Sequence, residues 1–277
     1  MRYGFVLPFG NARVVAEAAA AAEQAGWDGF FVWEPVWGND AWICLTAAAM
    51  KTERIKLGTM LTPISRMRPW KLASETATLD DLSGGRVILA VGLGAPESGF
   101  GAFGEATDRR IRAELLDEGL EILTGLWRGQ PYRFQGKHYT VEAVDLEIEA
   151  TPIVQQPRIP IWVVGAWGRA KSMNRALRYD GLLPNVIGEK GARAPTLEEM
   201  VAIGRYVNEH HAAGASYDLI VEGETAGDDP AAASAQVRQW AEAGATWWLE
   251  TNWMLPRRPE EVPNIMRRIR KGPARIG

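Results

Sequence analysis

The chain of 277 residues holds a single cysteine, Cys44. One cysteine excludes an internal disulfide and leaves a thiolate zinc site short of ligands. That poverty fits a reducing compartment. Histidine is almost as scarce, at three residues. His138 falls in a predicted hairpin, while His210 and His211 fall at a helix end, where the helix dipole favours them. No Ser-His-Asp set and no metal cluster can therefore be assembled at strand ends. Long apolar runs are also missing, and none approaches the ~20 residues of a membrane span. Residues 1–8 are too short and too soon interrupted for a signal peptide. Charge of one sign is missing as well. A net charge of −3 with both signs mixed gives no basic stripe for nucleic acid and no acidic tail. These absences lead us to expect a soluble, cytoplasmic protein with no nucleic-acid or membrane partner.

What the sequence does have is 47% apolar residues, arranged as short runs that alternate with helical patterns. The runs fall at 3–7, 28–33, 55–61, 86–91, 159–164, 180–184, 217–221 and 246–249. Between them stand helix signals. Asn11 caps an alanine-rich helix that Gly26 ends, and another helix spans 42–50. Pro69 opens a helix closed by Gly84-Gly85. Thr196 with Glu199 forms a capping box, Asp229-Pro230 caps the next helix, and Pro259 opens the last. Short runs of this kind imply parallel strands buried on both faces. Eight strand-helix units imply a (β/α)₈ TIM barrel, an α/β fold typically of about 250 residues. A doubly wound sheet is the alternative, but no GxGxxG follows the first run. The stretch at about 93–159 exceeds one unit. It reads as an insertion between strands four and five, with a helix over 108–128 and a β-hairpin around Gln135-Gly136. The whole chain, 1–277, reads as one domain.

In a barrel the chemistry lies at the carboxyl ends of the strands. Strand two ends in Trp33-Glu34-Pro35-Val36-Trp37. Glu34 there could act as a base or bond a cofactor or substrate group. After strand three, 61–70 carry two prolines and two arginines, which suit either a rigid loop or anion contacts. After strand four, Gly92-Leu93-Gly94 lets backbone approach a flat ligand. After strand five, Gly165-Ala166-Trp167-Gly168 enters a helix whose start could hold a phosphate. The loop after strand seven, 223–229, is too acidic to attract phosphate unaided. After strand eight, Trp253 and Arg257 follow, and Arg257 could pair an anionic substrate. Trp33, Trp37, Trp167 and Trp253 give the mouth an apolar or planar character, although most of the twelve tryptophans suit plain packing.

Taken together, 54–63, Arg66-Met67-Arg68-Pro69-Trp70, Leu79-Asp80-Asp81-Leu82-Ser83-Gly84-Gly85-Arg86 and Val91-Gly92-Leu93-Gly94 resemble the luciferase-like flavin-dependent oxidoreductases. The resemblance extends through Gly136-Lys137-His138-Tyr139 and Pro160-Ile161-Trp162-Val163. It implies a barrel holding reduced FMN, or its deazaflavin relative F-420, over the strand ends. It places a non-prolyl cis peptide behind the ring, near Thr62, Pro63, Ile64 and Ser65. It also sets Gly92, Leu93 and Gly94 beside the ring and Gly165, Ala166, Trp167 and Gly168 at the phosphate. Family members often carry Asp-His where this chain has Glu34-Pro35, so Glu34 would have to take the proton-handling role. The activity implied is monooxygenation with reduced FMN and oxygen; alternatives are hydride transfer with F-420, or flavin binding without turnover. A barrel isomerase or lyase acting on a phosphorylated substrate is a further possibility. Trp33, Trp37, Trp253 and Arg257 would face a small organic substrate, and the family implies a homodimer.

Overall fold

The computed structural model describes residues 1–129, 131–144, 151–189, 191–211, 216–256 and 258–276. Strands β1 (Arg2–Leu7), β2 (Gly29–Val32), β3 (Lys56–Pro63) and β4 (Val87–Gly92) alternate with helices α1 (Ala12–Gln24), α2 (Ala41–Ala49), α3 (Pro69–Ser83) and α4 (Arg109–Trp127). An antiparallel hairpin, β5 (Tyr132–Gln135) and β6 (Thr140–Val144), follows α4. The alternation then resumes with β7 (Ile161–Trp167), α5 (Ala170–Ala176), β8 (Gly181–Gly188), β9 (Gly191–Arg193), α6 (Leu197–His210), β10 (Asp218–Gly223), α7 (Pro230–Glu242), β11 (Trp247–Thr251) and α8 (Val262–Arg270). The main sheet runs β10-β11-β1-β2-β3-β4-β7-β8, and parallel pairing of β8 with β10 closes it into a barrel of eight strands. The short β9 folds back antiparallel on β8. Among the described residues no helix is long and apolar enough to cross a membrane.

Local chemistry sets the helix ends where the sequence placed them. Asn11 accepts from the backbone N–H groups of Arg13 and Val14. Pro69 stands at the first turn of α3, and Gly84 closes that helix in the left-handed conformation. Thr196 and Glu199 form the reciprocal capping box of α6. Several strands run further than their apolar runs suggested. β3 continues through Thr62 and Pro63, and β7 continues through Gly165, Ala166 and Trp167. The cause is the neighbouring strand: β4 pairs Thr62↔Val91 and Pro63↔Gly92, and β8 stays in register with β7 up to Gly165↔Pro184, Ala166↔Asn185 and Trp167↔Val186, so each ladder extends past the last aliphatic residue of its run.

The apolar residues separate into two layers. One fills the space between sheet and helices. The other fills the barrel interior, with Val6, Phe31, Met60, Ile88, Ala90, Trp162, Leu183, Ile220, Trp247 and Leu249. Phe31, Trp162 and Trp247 pack against one another there, with ring centroids 5.3 Å (Phe31–Trp162), 5.0 Å (Trp162–Trp247) and 6.2 Å (Phe31–Trp247) apart. Room for them comes from small neighbours. A Cβ on Gly181 would stand 2.4 Å from the Trp162 ring.

The residues that carry the family resemblance around the third helix are structural. Asp80 is fully buried and accepts the backbone N–H groups of Val154 and Gln155 and the Gln155 side-chain amide. It ties the chain entering β7 to α3. Arg86 is buried and places all five N–H donors: Nε on Ser83 O (2.7 Å), Nη1 on Thr52 Oγ1 (2.9 Å) and Ile55 O (3.1 Å), Nη2 on Ala49 O (3.1 Å) and Thr52 O (2.9 Å). A shorter donor set leaves several of these buried acceptors unpaired. Arg86→Lys should therefore lower the unfolding free energy by about 3 kcal/mol. Urea denaturation followed by circular dichroism measures it, and an unchanged midpoint would refute this role.

Candidate active site at the barrel mouth

The aromatic filling ends below the carboxyl rim of the strands, where a cavity of about 660 Å³ opens. Its apolar wall is Met60, Leu61, Leu93, Val164, Ala166, Leu183 and Ile220. Trp33, Trp240 and Trp253 add aromatic faces. The charged residues lining it are Glu34, Glu222, Arg109, Arg112 and Arg175.

Glu34 follows β2 and is buried, 7% exposed. The Thr62 hydroxyl donates to its Oε2 at 2.5 Å, and Thr62 Oγ1 lies 2.8 Å from the buried Thr59 hydroxyl. Arg66 Nη2 donates to the Glu34 backbone carbonyl at 2.6 Å, which fixes the turn after the strand. Burial pushes the Glu34 carboxyl up to about 7. The Thr62 hydrogen bond and the Arg66 charge oppose the shift, and the Asp40 and Glu75 charges add to it. At neutral pH the group can thus either give or take a proton.

The expected cofactor contacts are redistributed. The non-prolyl cis peptide lies at Met60–Leu61, upstream of the Thr62-to-Ser65 position expected for it. Thr62 sits below the cavity and supports Glu34, whereas Pro63 lines the cavity. Ile64 is fully buried in the outer core layer, and Ser65 is buried with its hydroxyl unpartnered among the described residues. Leu93 and Gly94 line the cavity. Gly94 has φ +69°, and a Cβ there would come within 2.8 Å of Phe100. Gly92 instead makes room for Leu61 and Val164, each within 3.1 Å of where its Cβ would be.

The residues expected to hold a phosphate lie mostly in a strand rather than at a helix start. Gly165, Ala166 and Trp167 belong to β7, and α5 has only seven residues. Of these only Ala166 lines the cavity, and its N–H is already taken by the Ser172 hydroxyl. Gly165 packs against Leu182, Trp167 packs edge-on to Tyr206, and Gly168 turns the chain at φ +76°. Among the substrate candidates, Trp33 and Trp253 line the cavity. Trp37 is 81% exposed and borders a separate pocket of about 200 Å³. Arg257 lies outside the described residues.

Several lining groups escaped the sequence reading, Arg109, Arg112, Arg175 and Glu222 among the charged ones. Glu222 stands near the carboxyl end of β10 after Leu219, Ile220 and Val221, the same signal that picked out Glu34. Arg112 is buried at the start of α4 and donates to the carbonyls of Leu93 (2.6 Å) and Gly94 (3.2 Å). Arg175 is buried and paired through two N–H groups with Asp117, at 2.6 and 2.7 Å. An arginine in a helix reads as solvated surface until its partners in the fold are known. Within β11, buried Glu250 takes the N–H and hydroxyl of Thr225, which follows β10, together with the Trp248 indole N–H and Arg268, so a carboxylate of the chain itself fills this rim.

The Glu34 shift has a stability consequence. Its folded value lies above the ordinary carboxylate value, so the native state binds the extra proton. Relative stability is whole below about pH 4.5 and falls as pH rises through about 7. Glu34→Gln should therefore stabilise the protein by about 2–3 kcal/mol at pH 8 and leave it unchanged at pH 4. Calorimetric melting temperatures at the two pH values check this; a pH-independent effect would mean that Glu34 is not buried in its charged form.

The family model described as luciferase-like monooxygenase matches residues 1–271. A Mycobacterium tuberculosis protein named as a coenzyme F420-dependent oxidoreductase is 31% identical over 193 residues, covering 68% of this chain and 49% of that protein. An F420-dependent glucose-6-phosphate dehydrogenase of Nocardia farcinica is 30% identical over 248 residues, covering 84% of this chain and 71% of that one. The chain spans about half the length of the first curated relatives it matches. The F420-dependent tetrahydromethanopterin reductase of Methanopyrus kandleri superposes with TM-score 0.74 at 18% identity, covering 98% of both chains, which is a likeness of fold. The closed barrel, its mouth cavity and a family match along nearly all of its length place this chain in the luciferase-like monooxygenase family.

Proposed function

We propose that this chain is an oxidoreductase that binds coenzyme F420 in the mouth cavity and uses it for hydride transfer to or from a small organic substrate. The observation that carries the reading is the likeness, at 30–31% identity, to proteins named for F420. It favours the deazaflavin over reduced FMN with oxygen, which rests on the family description. The residues present fit such a group. Met60, Leu61, Leu93 and Val164 form an apolar bed for a flat ring system. Arg109, Arg112 and Ser172 offer donors to an anionic end, and Arg112 Nε is buried without a partner among the described residues. When bound, the cofactor supplies the carbon that carries hydride. Glu34 is the acid–base residue. Thr62 orients its carboxyl, Arg66 holds its backbone, and its value near 7 lets it hold or release a proton at neutral pH. Trp33 and Trp253 cover the substrate side and keep water from it.

The same reading includes a homodimer. Ile43 (66% exposed) and Met50 (68% exposed) lie seven residues apart, on one face of α2 and at its end, and Trp70 (44% exposed) opens α3 beside it. Water-exposed apolar residues in such a group suit a two-fold contact.

Titration of the apo-protein, followed by tryptophan quenching, should give an F420 affinity at least about tenfold tighter than that for FMN. Tighter FMN binding would return the monooxygenase reading, and binding of neither would remove the cofactor. Light scattering should show a dimer that Ile43→Glu with Met50→Glu converts to a monomer, and a monomeric parent would end the dimer reading.

A further inference from the structure

Glu222 is a second acidic group in the cavity wall, and the proton handling assigned to Glu34 does not use it. Its Oε1 is buried and has no hydrogen-bond partner among the described residues, and the residue, itself only partly buried, lines the cavity. Glu250, on the adjacent strand β11, shows the usual alternative, a buried carboxylate whose oxygens are taken up by Thr225, Trp248 and Arg268. A buried acceptor left open costs free energy unless a ligand fills it.

Strand order shows what that ligand meets. Around the barrel, Glu222 comes from β10 and Glu34 follows β2, with β11 and β1 between them. Trp33 and Trp253 belong to this same sector, after β2 and β11. The cavity's described cations stand across from it: Arg109 and Arg112 follow β4, and Arg175 follows β7. Of these, Arg175 is committed to Asp117 and Arg112 to two carbonyls. The mouth is therefore divided, with an aromatic and acidic side opposite a cationic side. An anion on the acidic side would meet two carboxylates in a medium of low dielectric constant. A hydroxyl there would meet the carboxylate of Glu222, which lines the wall.

We infer that Glu222 is a specificity-determining residue that binds a hydroxyl group of an uncharged, apolar or aromatic substrate and excludes phosphate- and carboxylate-bearing molecules from that side of the mouth. This rests on the reading of the mouth as the substrate site of an oxidoreductase. It also separates this chain from its relatives named for glucose-6-phosphate, whose substrate carries a phosphate. Burial raises the Glu222 carboxyl to about 7, in agreement with an unneutralised group at this position.

The test uses the full chain without cofactor, titrated calorimetrically at pH 8 with benzyl alcohol and with benzoate, two probes of nearly equal shape. The wild type should bind the alcohol at least about tenfold more tightly than the anion. Glu222→Gln keeps an acceptor but removes the charge. It should tighten benzoate binding at least about tenfold and leave the alcohol within about threefold. Glu222→Leu should weaken the alcohol at least about tenfold. Neither substitution should alter F420 affinity. Unchanged benzoate affinity in Glu222→Gln, undiminished alcohol affinity in Glu222→Leu, or a wild type that binds neither probe would overturn the assignment. Failure of the wild type to bind F420 would instead overturn the cofactor reading and leave both probe arms standing.

Discussion

The interior of a closed eight-stranded barrel must be filled, and here it is filled mainly from one end. Phe31, Trp162 and Trp247 meet as three mutually packed rings inside the barrel, with glycine such as Gly181 facing them. Three large aromatic rings satisfy the close-packing demand at that level in a few residues. Above them the interior positions shrink to Ala90, Leu183 and Ile220, too little volume to close the rim. The cavity of about 660 Å³ is the space that remains. The plug thus determines both that a site exists and at which end of the barrel it lies.

Electrostatics then differentiates that space. Burial raises a carboxylate in this wall towards neutrality, as at Glu34 and Glu222. Arginines on the opposite side are held by backbone carbonyls and Asp117, which keeps their charge in place without letting it neutralise the carboxylates. Neighbouring Glu250 shows the contrast: supplied with Thr225, Trp248 and Arg268, it is a structural tie of the rim between β10 and β11. The same residue type therefore lines the cavity or ties the architecture together according to how many donors the fold brings to it.

The segment most diagnostic in the sequence, 79–86, does not touch the cavity. Asp80 anchors the chain entering β7, and Arg86 closes the turns around α2 and α3 with five donors. A motif that marks the family can thus record a folding requirement, while the cavity is lined by less distinctive positions such as Glu34 and Glu222.

The alternation of short apolar runs and capped helices was enough to specify eight strands, their order and the barrel. Period and capping act within a few residues, and parallel closure follows from their repetition. Glu34 was legible for the same reason, as a charged residue where a buried strand meets its loop. Strand ends were not legible, because Gly165, Ala166 and Trp167 stay in the ladder only through the length of β8. Trp37 and Trp253 looked alike in sequence, but only the packing turned one outward and the other over the cavity. The isolation of Glu222, and the division of the mouth into acidic and cationic sides, depended on which strands became neighbours on closure. That is a property of tertiary structure, since a carboxylate's environment is set by groups far away in the chain.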